Sequence, residues 1–110
     1  MIKTVVLIPI LDNDGNPFPL SLVREFERRL LRFGGLSRLS GFVGTWEFQG
    51  RIYHEPNHQY TVALRSWWDL AAWLDIVMWA KAAFGQEAIY IEVAGVPEIR
   101  GEIGPHSAPA

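Results

Sequence analysis

The chain has 110 residues, 49% of them hydrophobic, with ten lysines and arginines against twelve aspartates and glutamates and no cysteine. That length suits one domain, and the hydrophobic content excludes intrinsic disorder. A net charge of −2 offers no basic field to a nucleic-acid backbone, and the missing cysteines exclude disulfides, thiolate nucleophiles and zinc–thiolate sites together.

Residues 3–11 (KTVVLIPIL) are apolar at both parities, as in a central strand covered on both faces. DNDGNPFP (12–19) is turn chemistry. From Ser21, a candidate N-cap, to Phe33, the residues Leu22, Val23, Phe26, Leu30 and Phe33 recur at helical spacing, and Gly34-Gly35 stops the helix. Its arginines (Arg24, Arg28, Arg29, Arg32, with Arg38 beyond) interleave with Glu25 and Glu27, the pattern of a solvated face. After a loop through Ser40-Gly41, residues 42–48 read as a strand, Gln49-Gly50 as a two-residue turn and 51–55 as its hairpin partner. The partner resumes at 58–64, so a bulge is expected at Glu55-Pro56.

Ser66-Trp67-Trp68-Asp69 has capping-box spacing and opens a second helix that ends at Gly85. A helical wheel gathers Trp67, Leu70, Ala71, Leu74, Val77 and Met78 on a sheet-facing stripe, with Trp68, Ala72, Ile76, Trp79, Ala80 and Ala83 opposite and Trp73 between. A helix apolar nearly all round is buried nearly all round. Residues 87–95 form the last strand. The order strand, helix, strand, strand, helix, strand predicts an α+β, ferredoxin-like βαββαβ sandwich, with two right-handed crossovers placing both helices on one face of an antiparallel sheet. Residues 1–100 are expected to form one domain and 101–110 a flexible tail.

Five Trp, six Phe and three Tyr exceed what a two-layer body of this size readily hides, since each ring brings ~150–250 Å². The expectation is a homo-oligomer, dimer or trimer, with Trp68, Ile76 and Trp79 at the interface. No apolar stretch reaches the ~18 residues of a membrane span, and the N-terminal run lacks the length and cleavage site of a signal peptide. A soluble, cytoplasmic protein without membrane or nucleic-acid partners is expected.

No motif is specific for a metal, cofactor or phosphate. His54, Glu55 and His58 lie within five residues, yet strand alternation sends His54 and Glu55 to opposite faces, and His106 lies in the tail. Asp12-Asn13-Asp14-Gly15-Asn16 lacks the closing glutamate of a calcium loop. Gly34, Gly35, Gly41 and Gly44 match neither the dinucleotide nor the Walker spacing. Residues 41–48 have the aromatic pattern of an RNA-recognition strand, but on the second strand and without its leading basic residue. No metal and no cofactor are therefore expected.

The candidate chemistry is a set of Tyr/Glu pairs. Tyr53 and Glu55 share one parity of their strand; Tyr90 and Glu92 share one parity of the last, opposite Ile89, Ile91 and Val93. If those aliphatics face the helices, the polar pairs project onto the open sheet face. Covered by another subunit, that face would raise a carboxylate's pKa and suit it to general acid–base work. Tyr53, Glu55 and Glu92 are the catalytic candidates, and Trp46, Tyr90 and His58 the ligand-lining ones.

Three stretches, IPILDNDGNPFP (8–19), FGGLSRLSGFVGTW (33–46) and QEAIYIEVAG (86–95), resemble a family of short bacterial proteins without an assigned activity, which implies no site. Gly41-Phe-Val-Gly-Thr45 and Tyr53-His-Glu55 also resemble phage-type S-adenosylmethionine lyases, where a glycine-rich strand precedes a Tyr-x-Glu step on a ferredoxin-like oligomer. That resemblance implies Tyr53 and Glu55 lining a nucleotide pocket between subunits. Two readings follow: a homo-oligomer holding a small molecule in an interfacial pocket, with turnover left open, and a non-enzymatic module docking a partner through the Trp-rich helix.

Overall fold

The computed structural model describes residues 1–101, apart from the side chains of Phe42, Trp46, Phe48 and Tyr53. Of the expected tail, residues 102–110, with His106, lie outside the described residues. Its elements are β1 (Ile2–Pro9), α1 (Leu20–Leu30) continued by a 3₁₀ turn (Leu31–Phe33), β2 (Ser37–Phe48), β3 (Arg51–Leu64), α2 (Trp68–Ala83), β4 (Ala88–Val93) and β5 (Val96–Gly101). The sheet order is β2-β3-β1-β4-β5 and every neighbouring pair is antiparallel. This is the ferredoxin-like arrangement predicted from the sequence, with one strand added at an edge.

The added strand follows a two-residue turn at Ala94-Gly95, both residues at positive φ (52° and 81°). Such turns fit the twist of a hairpin, but they normally advertise themselves with Asn or Asp at the first position. Alanine there concealed β5. The predicted turn at Gln49-Gly50 has the same geometry, with φ of 52° and 78°.

Alternation sorts the strands. Ile2, Val6 and Ile8 of β1, Tyr60, Val62 and Leu64 of β3 and Ile89 and Ile91 of β4 all enter one core with Phe26 and Leu30 of α1 and Trp73, Ile76, Val77 and Ala80 of α2. Both helices thus cover one sheet face. On the other face Val5 is only 4% exposed, flanked in register by Thr61 and Glu92. β1 is central, as its apolar run implied, although on this outer face Leu7 is partly exposed and Lys3 exposed.

Several local expectations are corrected. Helix α1 begins one residue before Ser21, with Pro19 at the cap position and no side-chain cap bond. Proline's fixed φ suits the start of a helix and needs no hydroxyl there. The capping box at Ser66 does not form either: α2 has no side-chain cap bond, and the Ser66 carbonyl accepts the Asp69 N–H at 3.2 Å instead. The irregularity expected in β3 lies in β2, between Ser40 and Phe42, where Gly41 (φ 92°) is the extra residue. β3 runs unbroken through Pro56, whose carbonyl accepts the Ile10 N–H at 2.9 Å. Its missing N–H lies on that same side, just where β1 leaves the sheet, so the ladder loses little.

The buried stripe of α2 is Trp73, Ile76, Val77 and Ala80, of which only Val77 belongs to the predicted stripe. Trp73, placed between the two sides, is fully buried, whereas Trp67 is 64% and Trp68 90% exposed. Where every side of a helix is apolar, hydrophobicity carries no direction, and the sheet geometry chooses the face. Ile76, expected at an interface, is only 6% exposed within the chain's own core. Trp79 is partly buried beneath the Arg29 guanidinium, 3.9 Å from its ring centroid. Much of the side of α2 expected to need a second subunit is therefore covered internally.

Candidate functional site

The site is built where β1 ends. The Ile10–Pro56 hydrogen bond draws the following loop against β3. Asp12 locks that loop: its Oδ1 accepts the N–H groups of Asp14 and Asn16, each at 2.9 Å, and Leu11 bridges to Pro17. A short carboxylate can hold several backbone donors this way, which is why aspartate suits the position. Between the loop and the hairpin lies a cavity of about 360 Å³, with Leu11, Asp12 and Asn13 on one side and Ile52, His54 and Glu55 on the other.

Glu55 stands on the wall of this cleft. It is half-buried and its carboxylate makes no hydrogen bond or ion pair among the described residues. Burial alone raises its pKa above the ordinary glutamate value. An acid in this condition holds its proton closer to neutral pH, so it can donate to a ligand or exchange a proton with one. Beside it the buried Asn57 donates from Nδ2 to the Glu55 carbonyl at 3.0 Å. Gly44 stands opposite Glu55 in the ladder, and a Cβ there would come within 3.0 Å of Asn57 Nδ2. Glycine at 44 is the space that lets Asn57 brace the strand at Glu55.

The other sequence candidates distribute as follows. Trp46 and Tyr53 are cross-strand partners in the hairpin, and their side chains lie outside the described residues. His58 has the parity opposite to Glu55. Its Nδ1 is 2.7 Å from Ser40 Oγ, and its pKa is lowered, first by burial and then by the charge of Arg38. His54 is held likewise, with Nδ1 3.0 Å from Thr45 Oγ1. Tyr90 and Glu92 do lie on the face away from the helices, and the Tyr90 hydroxyl donates to Glu92 Oε2 at 2.9 Å. Burial, then the Glu92 carboxylate, raises the pKa of Tyr90. Glu92 is level with Val5 and Thr61 in the register, six residues along β3 from Glu55, which is about 20 Å of strand. One chain therefore does not bring Glu55 and Glu92 into one pocket.

A polar cluster that the sequence did not reveal ties α1 to the sheet. Glu27 Oε2 accepts both the Tyr60 hydroxyl and Arg38 Nη1, each at 2.6 Å. Burial, then the Glu27 carboxylate, pushes the Tyr60 pKa well up, so the phenol stays a donor. The available signal was Glu27's spacing four residues after Val23, which sets it beside the buried stripe rather than on the solvated face.

No protein-family model matches the chain, and a search among curated proteins finds no relative. Solved structures do resemble it. A phage S-adenosylmethionine lyase in its apo state superposes with a TM-score of 0.63 at 13% identity, covering 94% of this chain and 90% of that one. A phage S-adenosylmethionine lyase in complex with S-methyl-5′-thioadenosine gives 0.62 at 16% identity, covering 94% and 89%. The divalent cation tolerance protein Cut A1 from Thermus thermophilus gives 0.51 at 14%, covering 96% and 85%. The likeness is one of fold. It agrees with the ferredoxin-like reading and, at the level of fold, with the resemblance to phage S-adenosylmethionine lyases.

Proposed function

We propose that this protein binds a small nucleoside-like molecule in the cleft beside Glu55 and does so as a homo-oligomer. The observation that carries the reading is a half-buried carboxylate with a raised pKa and no protein partner among the described residues, on the wall of a cavity. A group left in that state is costly unless a ligand uses it. Glu55 suits a hydroxyl-bearing ligand, while Leu11 and Ile52 offer apolar contact to a base or thioether. Fold likeness to a structure holding S-methyl-5′-thioadenosine supports this chemical class. Self-association is supported by the exposed Leu39, Val43 and Ile52 along the hairpin that forms one wall of the cleft. Proton exchange with the ligand would fall to Glu55, and turnover is a separate question that the same assay answers.

The test is isothermal titration with S-methyl-5′-thioadenosine, with product analysis after incubation with S-adenosylmethionine. Saturable binding weakened at least about tenfold by Glu55→Gln supports the reading. No saturable heat with either compound, or equal binding by the variant, removes it.

A second reading rests on a different observation. Trp67 and Trp68 are adjacent and largely exposed at the start of α2, and aromatic side chains anchor protein interfaces. Under it the protein docks a partner there without catalysis. Light scattering separates the two: a uniform dimer or trimer that survives Trp68→Ala favours the first, whereas a monomer whose self-adhesion disappears in Trp68→Ala favours the second.

A further inference from the structure

A different cleft, sharing no residue with the one at Glu55, opens between the two helices. Arg28, Arg29 and Arg32 of the α1 segment and Ile76 of α2 line a space of about 290 Å³. In a chain of net charge −2 this gathers three of its ten basic residues around one opening. Among the described residues, Glu25 is the only carboxylate engaged with them. It accepts Arg28 Nε and Nη2 at 2.7 Å each and stands 3.8 Å from Arg29 Nε, too far for a hydrogen bond. Asp75, next to Ile76 on α2, is exposed and forms no ion pair with any of the three among the described residues. Three guanidinium groups and one carboxylate leave a local charge of about +2.

The arginines are also held in place. The Arg29 guanidinium lies 3.9 Å from the Trp79 centroid, and its buried Nε finds no acceptor among the described residues. Arg32 sits 5.6 Å from the Phe33 ring and has no carboxylate partner among them. Stacking on a ring restrains the planar fork without using its donors, which lowers the entropy lost when an anion arrives. The three cations are all arginine, the residue whose paired N–H groups match phosphoryl oxygens.

We propose that this inter-helix cleft is a binding site for a diphosphate group, held by the forks of Arg29 and Arg32 with Arg28 at the rim. Its volume is at the low end of ligand pockets, roughly 300–1,000 Å³, and suits two phosphoryl groups better than a whole cofactor. The diphosphate is either the free anion or the end of a larger phosphorylated molecule.

The experiment is a titration of the full chain with sodium pyrophosphate, following the arginine Nε–H resonances by NMR at constant ionic strength. The Arg29 and Arg32 signals are expected to shift saturably. Arg32→Gln, at an exposed position, and Arg29→Lys, which keeps the charge but loses the stacked fork, are each expected to weaken binding about tenfold. Arg100→Gln, on β5, is expected to leave it unchanged. Adenosine 5′-diphosphate binding at the same resonances identifies the end of a larger molecule as the ligand; pyrophosphate binding alone identifies the free anion. Shifts that sodium chloride reproduces, or saturable binding that survives both Arg32→Gln and Arg29→Lys, overturn the proposal. The Glu55 cleft plays no part in this readout, so the two proposals fail separately.

Discussion

Strand β3 passes through two environments. From Asn57 to Thr61 it runs between β1 and β2, β1 alone continues beside it to Leu64, and its Tyr60, Val62 and Leu64 are sealed beneath the helices. From Arg51 to Pro56 it has only β2 beside it, and Ile52 is 63% exposed. One alternating strand thus supplies a core in one half and a bare ribbon in the other. The difference lies in what covers it. Stability is concentrated where two layers meet, and the candidate chemistry lies where the second layer is missing and a loop takes its place.

The contrast is sharpest in packing. Trp73→Ala empties the centre of the two-layer body and is expected to cost about 3–5 kcal/mol, whereas Ile52→Ala on the ribbon should stay within ~0.5 kcal/mol. Denaturant melts of the two variants compare them directly; similar losses would mean that the ribbon is as thoroughly packed as the body. Next in size is Tyr60→Phe, which strips one donor from Glu27 and should cost about 1–2 kcal/mol, because a partly buried carboxylate loses a short hydrogen bond. Gly44→Ala is expected to cost about 1 kcal/mol by pushing Asn57 off its bond to the Glu55 carbonyl. It should also weaken any ligand held at Glu55.

The smallest expected effects are in pH dependence, and the two groups pull in opposite directions. Glu55 titrates above 4.5 in the folded chain. The folded state therefore holds that proton more tightly, and this contribution is present below 4.5 and lost as pH rises through the raised value. His58 titrates below 6.5 when folded. Its contribution is present above 6.5 and lost as pH falls through the lowered value. Melting temperature from about pH 4 to 8 should consequently rise more steeply with pH in Glu55→Gln than in the parent, and less steeply in His58→Gln. Parallel profiles in all three would remove both assignments.

The order of elements was legible because periods of 2 and 3.6 are strong in β1, α1 and the hairpin. α2 hid its orientation, since Trp67, Trp68, Trp73 and Trp79 give no preferred side, and β5 was hidden by an alanine in its turn. Glu55 was legible as a candidate from parity alone. Its cleft was not: Asp12 is brought to it by the pairing of β1 with β3 and the Ile10–Pro56 bond, which are properties of register. Asn57 read as an interruption in the strand, yet it is the buried brace that makes Gly44 necessary.

The most direct measurement is hydrogen exchange of the full chain with and without S-methyl-5′-thioadenosine. Binding beside Glu55 predicts added protection in residues 11–16 and 52–57 that Glu55→Gln abolishes, with α2 unchanged. Protection centred on Trp67–Trp68, or none at any concentration up to saturation of the nucleoside, would contradict it.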